Sequence, residues 1–158
     1  VARAADYVCG RGAAGKPEGY LNADTVSHGG MYQHGFGTLF LAEVCGMPHD
    51  PARGKRVRDI LEKAVALTRQ AQNDQGGWRY DPRPTQADVS VTVAQLMALR
   101  AARNAGVFVP KRQVDKAVEY IKACQQRDGG FCYIKGPGAV AGSAFARSAA
   151  AVVGLFTA

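Results

Sequence analysis

The 158-residue chain has a single tryptophan, three histidines and four cysteines, and no two cysteines stand in C-x-x-C spacing. Without such a pair a zinc ribbon lacks its ligand knuckle. Cys9, Cys45, Cys124 and Cys132 are read as buried free thiols, and a Cys124–Cys132 disulfide stays open for an oxidising compartment. Acidic residues are scarce, 13 Asp+Glu against 20 Lys+Arg, which leaves a net charge of +7. The excess is not organised for nucleic acid. Its densest run, Arg53, Lys55, Arg56 and Arg58, has no interleaved aromatics and matches no nucleic-acid motif. It reads as a solvated helix face with no nucleic-acid partner. A long uncharged apolar run is missing too. The best stretch, residues 139–158, carries Arg147 in its middle and is rich in Ala and Gly, so no membrane span is expected. No basic segment leading into an apolar one opens the chain, and the compartment is left unassigned.

What is present is a globular composition, 47% hydrophobic, in a chain long enough to bury about two-thirds of its unfolded surface without disulfide or metal. The chain opens at Val1 rather than Met and closes at Ala158 directly after an apolar run, so a piece of a longer protein is expected. Helical spacing predicts six helices, at about residues 2–9, 31–45, 51–72, 88–104, 111–126 and 143–156, with a glycine-rich loop from Gly10 to Gly30. They alternate in character. Val57, Ile60, Leu61, Ala64, Val65 and Thr68 make one apolar stripe on the third, and Val114, Ala117, Val118, Ile121 and Cys124 make one on the fifth. The fourth, from N-cap Asp88, and the sixth are apolar nearly all round, as befits helices surrounded by protein.

The pattern repeats. Gln72-Asn-Asp-Gln-Gly76-Gly77-Trp78 returns 53 residues later as Gln125-Gln-Arg-Asp-Gly129-Gly130-Phe131. The partner helices align as well: Thr92–Leu96 lies 56 residues before Ser148–Val152, and Gly35–Leu39 lies 57 before Thr92. A period of this length with two helices per unit means a helical repeat array, with units at about 1–47, 51–106 and 110–158. Amphipathic helices outside and fully apolar helices inside are satisfied by two nested layers. The expected fold is therefore all-α, part of an α/α double ring of about three hairpins.

The repeated segment resembles the QW motif of terpenoid cyclases and protein prenyltransferases, families built on an α/α toroid. Met31-Tyr-Gln-His-Gly-Phe-Gly-Thr-Leu is similar to related bacterial repeat proteins, many without assigned activity. Structural roles are expected for Gln72, Gly76 and Trp78 and for their counterparts Gln125, Gly129 and Phe131. The glutamine would bond the open carbonyls ending the outer helix, the glycines would allow a tight reversal, and Trp78 would pack across the neighbouring repeat. Class II cyclases place a DxDDTA motif at the start of an inner helix, its middle Asp being the proton donor. Here Asp88-Val89-Ser90-Val91-Thr92-Val93 matches only the first Asp and the Thr. Ser90 stands at the donor position, and a hydroxyl is too weak an acid to protonate an alkene.

Protein prenyltransferases bind zinc through an Asp, a Cys and a His. His28, His34, Cys45 and His49 are the available residues, but they lack i, i+3 or i+4 pairing and the local Asp-x-Cys pattern, so no metal or other cofactor is expected. Polar residues near inner-helix starts, His28, Tyr32, His34, Asp88, Ser90, Arg147 and Ser148, would gather at one mouth of the lumen. Of these, Tyr32, His34, Asp88 and Arg147 are the ligand-binding candidates, and Asp88 and Ser90 the only weak catalytic ones. Arg147, a charge on an apolar helix, must find a partner: Asp88, a helix end, or an anionic group of a ligand. The resemblance implies a non-cyclase binding or scaffold segment with an apolar lumen for an isoprenoid-like ligand. The alternative is a fragment of an active isoprenoid enzyme or toroid-fold polysaccharide lyase whose catalytic residues lie on further repeats. Such repeats, or a second copy, would cover the exposed inner face.

Overall fold

The computed structural model describes residues 1–22, 29–47, 50–136 and 142–158. His28 and His49 therefore lie outside the described residues. Among those residues the chain forms six α-helices and no β-strand: α1 (Ala2–Ala14), α2 (Gly30–Cys45), α3 (Pro51–Gln70), α4 (Val89–Asn104), α5 (Lys111–Ala123) and α6 (Phe145–Thr157). The expected two-layer all-α architecture is what forms. Helices α2, α4 and α6 lie side by side with α4 in the middle, while α1 packs on α3, and α3 and α5 back the inner row.

Local chemistry accounts for these elements. Helix α3 starts where the Asp50 carboxylate accepts the Arg53 backbone N–H at 3.0 Å and Pro51 occupies the first turn, a position needing no N–H. Its stripe Val57, Ile60, Leu61, Ala64, Val65 and Thr68 is buried. Helix α4 starts the same way, with Asp88 accepting the Val91 N–H at 2.8 Å. Val89, Val91, Val93, Leu96 and Leu99 of α4 are all buried, each stabilising the fold by about 1.5–3 kcal/mol relative to exposure. No helix of the described residues is long and apolar enough to cross a membrane.

The basic run of α3 is engaged within the fold. Arg53 pairs with Asp6 and Asp50, Arg56 with Asp6, Lys55 with Asp59, and Arg58 with Glu62. Arg58 also donates to the carbonyls of Ala105 and Gly106 at 2.6 and 2.9 Å, closing the C-terminal end of α4, where a cation is favoured.

Three boundaries differ from expectation. Helix α1 continues through Gly10 and Gly12 to Ala14, because Gly12 is a notch rather than a stop. A Cβ there would lie 2.5 Å from Ile60 Cγ2 and 2.8 Å from Leu21 Cδ2. Helix α5 ends at Ala123, since Gln125 instead pairs with Phe131 in an antiparallel bridge. Helix α6 starts after Ser143, whose hydroxyl is held by both oxygens of the Asp128 carboxylate at 2.7 and 2.8 Å. Helix α6 also buries only Ala151 and Gly154. Its Phe145 and Phe156 are 93% and 88% exposed, because α4 flanks it on one side and no described helix on the other.

Candidate functional site

The two repeated turns are built alike. Gly76 and Gly129 sit at φ +92° and +85°, the left-handed region that favours glycine. The Asn73 N–H donates to the Gly77 carbonyl at 3.0 Å, and the Gln126 N–H to the Gly130 carbonyl at 2.8 Å. The amide of the following aromatic residue donates to an inner-helix hydroxyl, Trp78 to Thr92 at 3.1 Å and Phe131 to Ser148 at 2.9 Å. These hydroxyls are the pair that the repeat alignment superposes.

The glutamine acts otherwise than expected. Gln72 Nε2 donates to the carbonyls of Gly76 and Gln113, both at 2.8 Å, and to none on its own helix. Other groups close the end of α3: the buried Trp78 indole N–H donates to Thr68 O at 2.7 Å and Gln113 Nε2 donates to Arg69 O at 2.8 Å. Open terminal carbonyls are thus satisfied by the turn's indole and by the next outer helix.

A polar seam joins α2, α3 and α4. His34 is 0% exposed, and the Leu21 backbone N–H donates to its Nδ1 at 3.2 Å. Nδ1 is therefore the acceptor and Nε2 carries the hydrogen, facing Thr68 Oγ1 at 3.0 Å and Ala64 O at 3.1 Å. Thr68 in turn lies 3.4 Å from Gln95 Oε1, and Gln95 Nε2 donates to Met31 O at 2.6 Å. Burial lowers the His34 pKa to about 4, against the opposing bond to Ala64, so the ring is neutral at pH 7. With both nitrogens engaged inside the protein, His34 sits apart from the mouth where the sequence pattern put it.

The other candidates do meet. The loop after each turn passes over the N-terminus of the preceding inner helix, where Tyr80 O accepts the Met31 N–H and Tyr133 O accepts the Val89 N–H, both at 3.0 Å. The two phenols, Tyr80 and Tyr133, hydrogen-bond to each other. The Tyr32 ring lies 6.2 Å from the Tyr80 ring, and its hydroxyl is beside Ser90. Under them is Asp88, 0% exposed, with Oδ1 on the Val91 amide and Oδ2 without a hydrogen-bond partner. Burial holds its carboxyl above the ordinary carboxylate pKa, with the Val91 amide, Arg79 and the Tyr133 phenol working against that shift.

Arg147 joins this group through Tyr133, its guanidinium 5.7 Å from the ring centroid. The arginine pairs neither with Asp88 nor with a helix end. It donates to the loop carbonyls of Phe131 at 2.9 Å and Gly142 at 3.1 Å. Tyr80 and Tyr133 were absent from the sequence-derived set, although a signal existed: each follows its turn aromatic by two residues, in Gly-Gly-Trp-Arg-Tyr and Gly-Gly-Phe-Cys-Tyr.

Below this mouth the inner row keeps one accessible face, opposite the outer layer. Tyr32, Phe36, Leu39 and Phe40 of α2 and Ser90 and Met97 of α4 are partly or fully exposed at helical spacing on it, with the polar Glu43 and Asn104 exposed at its far end. Among the described residues no group of three His, Cys, Asp or Glu could hold a metal ion. Two nested layers of helices joined by glycine turns, with an apolar face inside, define an α/α toroid segment. Residues 55–155 match the family described as the prenyltransferase alpha-alpha toroid domain, and the chain belongs to that family. No curated protein and no solved structure is matched.

Proposed function

We propose that this chain is a binding segment of a prenyltransferase-type toroid, taking the polar end of an isoprenoid-like ligand at the tyrosine mouth and performing no cyclisation with its own residues. The observation that carries the reading is Asp88: a buried carboxyl with one oxygen unpartnered, bounded by the phenols of Tyr133 and Tyr32. An unpaired buried oxygen is costly, and a hydroxyl donor on a ligand would relieve it. The strip of Phe36, Leu39, Phe40 and Met97 supplies apolar surface for the chain of such a ligand. Ser90, at the cyclase donor position, offers no acid. Asp88 is held as a helix cap.

Isothermal titration with farnesol, a short isoprenoid alcohol, tests the reading. Saturable binding at one site is expected, weakened about tenfold in Tyr133→Phe, as loss of one hydrogen bond in a buried site implies. Absence of saturable binding, or unchanged affinity in Tyr133→Phe, would count against it. The exposed face of α6, with Phe145, Val152 and Phe156, adds a scaffold role to the reading: another helical hairpin or a second copy would cover it.

A further inference from the structure

We infer that Cys124 and Cys132 form a latent disulfide that ties the end of α5 to the loop carrying Tyr133. Two backbone bonds flank the Gln125–Phe131 antiparallel bridge, Gln126 N–H to Gly130 O at 2.8 Å on one side and, on the other, Cys132 N–H to Cys124 O at 2.9 Å, which joins the two cysteines. In that register Cys124 and Cys132 stand directly opposite each other. Cys124 caps α5 with its own N–H on the Ile121 carbonyl, so one backbone bond joins the pair, and the Cys132 thiol is within side-chain hydrogen-bond reach of Cys124, the close approach that a disulfide requires. Both thiols are free and buried, and Cys132 adds to burial in raising the Cys124 thiol.

The turn itself does not require sulfur, since Ala71 and Arg79 occupy the corresponding positions 53 residues earlier. A cavity of about 390 Å³ lined by Gln75, Tyr120, Ala123 and Lys135 opens beside the end of α5, and the Lys135 charge favours the Cys124 thiolate. Burial still pushes the Cys124 thiol up to about 12, so oxidation is slow and suits a standing structural bond rather than a rapid sensor.

The oxidant is a small disulfide of the glutathione class. The Cys132 thiolate attacks one of its sulfurs, forming a mixed disulfide and expelling one small thiolate. The Cys124 thiolate then attacks the Cys132 sulfur, closing the protein disulfide and expelling the second. Two protein thiols are oxidised, one small disulfide is reduced, and the two thiol protons pass to the leaving thiolates.

The native protein, incubated with oxidised glutathione and blocked with iodoacetamide, is digested with trypsin without reduction. Cleavage after Lys122, Arg127 and Lys135 releases Ala123–Arg127 and Asp128–Lys135 as separate peptides. The expected result is a disulfide-linked pair of these two peptides, absent in Cys132→Ser, together with slower amide exchange at Tyr133. Glutathione adducts alone, linkage to Cys9 or Cys45, or alkylated Cys124 and Cys132 after prolonged oxidation would overturn the inference. The wild-type peptide map decides the matter even if Cys132→Ser fails to fold.

Discussion

The turn between α3 and α4 and the turn between α5 and α6 share their backbone bonds, yet only the first has a following outer helix laid against it. Gln72 bonds both its own turn and Gln113 of α5, whereas Gln125 reaches only Gly129 O, at 3.3 Å on an exposed surface. A Cβ on Gly76 would sit 2.5 Å from the Lys116 carbonyl oxygen of α5, while Gly129 has nothing within 4 Å. The sequence motif therefore has two separable parts. One closes the reversal and operates in both copies. The other clamps the next hairpin and operates only where a next hairpin packs.

The seams between units differ as well. His34, Thr68 and Gln95 join the first unit to the second. Displaced by 57, 53 and 56 residues, the corresponding positions hold Val91, Ile121 and Ala151, all 0% exposed. A hydrogen-bonded seam fixes one register through directional bonds, and an apolar one relies on shape alone.

The largest expected difference between the turns comes from Gly76→Ala and Gly129→Ala. Both force a side chain into positive φ, costing about 1–2 kcal/mol, but Gly76→Ala also drives a Cβ into backbone and should lose about 3 kcal/mol or more in total. Urea unfolding showing equal losses would break the distinction between closing and clamping.

The two seams should part on acidification. The folded pKa of His34, about 4, lies below its unfolded value near 6.5, so the folded state binds fewer protons. Stability is complete above pH 6.5 and falls as the pH drops towards 4, by about 3 kcal/mol in all. Amide exchange should report loosening first between α2 and α3, and His34→Gln should flatten the pH dependence. Loosening that begins between α5 and α6 would contradict the assignment.

Smaller effects follow at the hydroxyls and glutamines. Thr92→Val strands the buried Trp78 N–H and should cost about 1–3 kcal/mol, with Ser148→Ala nearer 1 kcal/mol because its site is partly solvated. Gln72→Ala should cost about 1 kcal/mol and Gln125→Ala within about 0.5 kcal/mol. Thermal unfolding of the four variants gives the ranking, and reversal within the glutamine pair would remove the clamp from the first turn.

Much of this was legible in the sequence. Apolar spacing located all six helices, and the 53-residue offset located both turns. Errors fell where a residue's partner is distant in the chain. The chain from Gly10 onward looks like a loop until Ile60 and Leu21 are seen packed against Gly12. The Gln72 side chain and the Arg147 guanidinium go to main-chain carbonyls, which every residue owns and no sequence pattern marks. His34 stands near an inner-helix start, yet its helix face turns to α3, so proximity in sequence misplaced it. Tyr80 and Tyr133 were legible in principle, since the repeat that aligned Trp78 with Phe131 aligned them too.

The central claim is that the accessible face of the inner layer receives an apolar ligand whose polar end meets Tyr32, Tyr80, Tyr133 and Asp88. Photoaffinity labelling of the protein with a diazirine-bearing farnesol, followed by peptide mapping, tests it most directly. The account predicts labels on α2 and α4, around Phe36, Phe40 and Met97, suppressed by excess farnesol. Labels spread over α1, α3 and α5, or unaffected by competition, would contradict it.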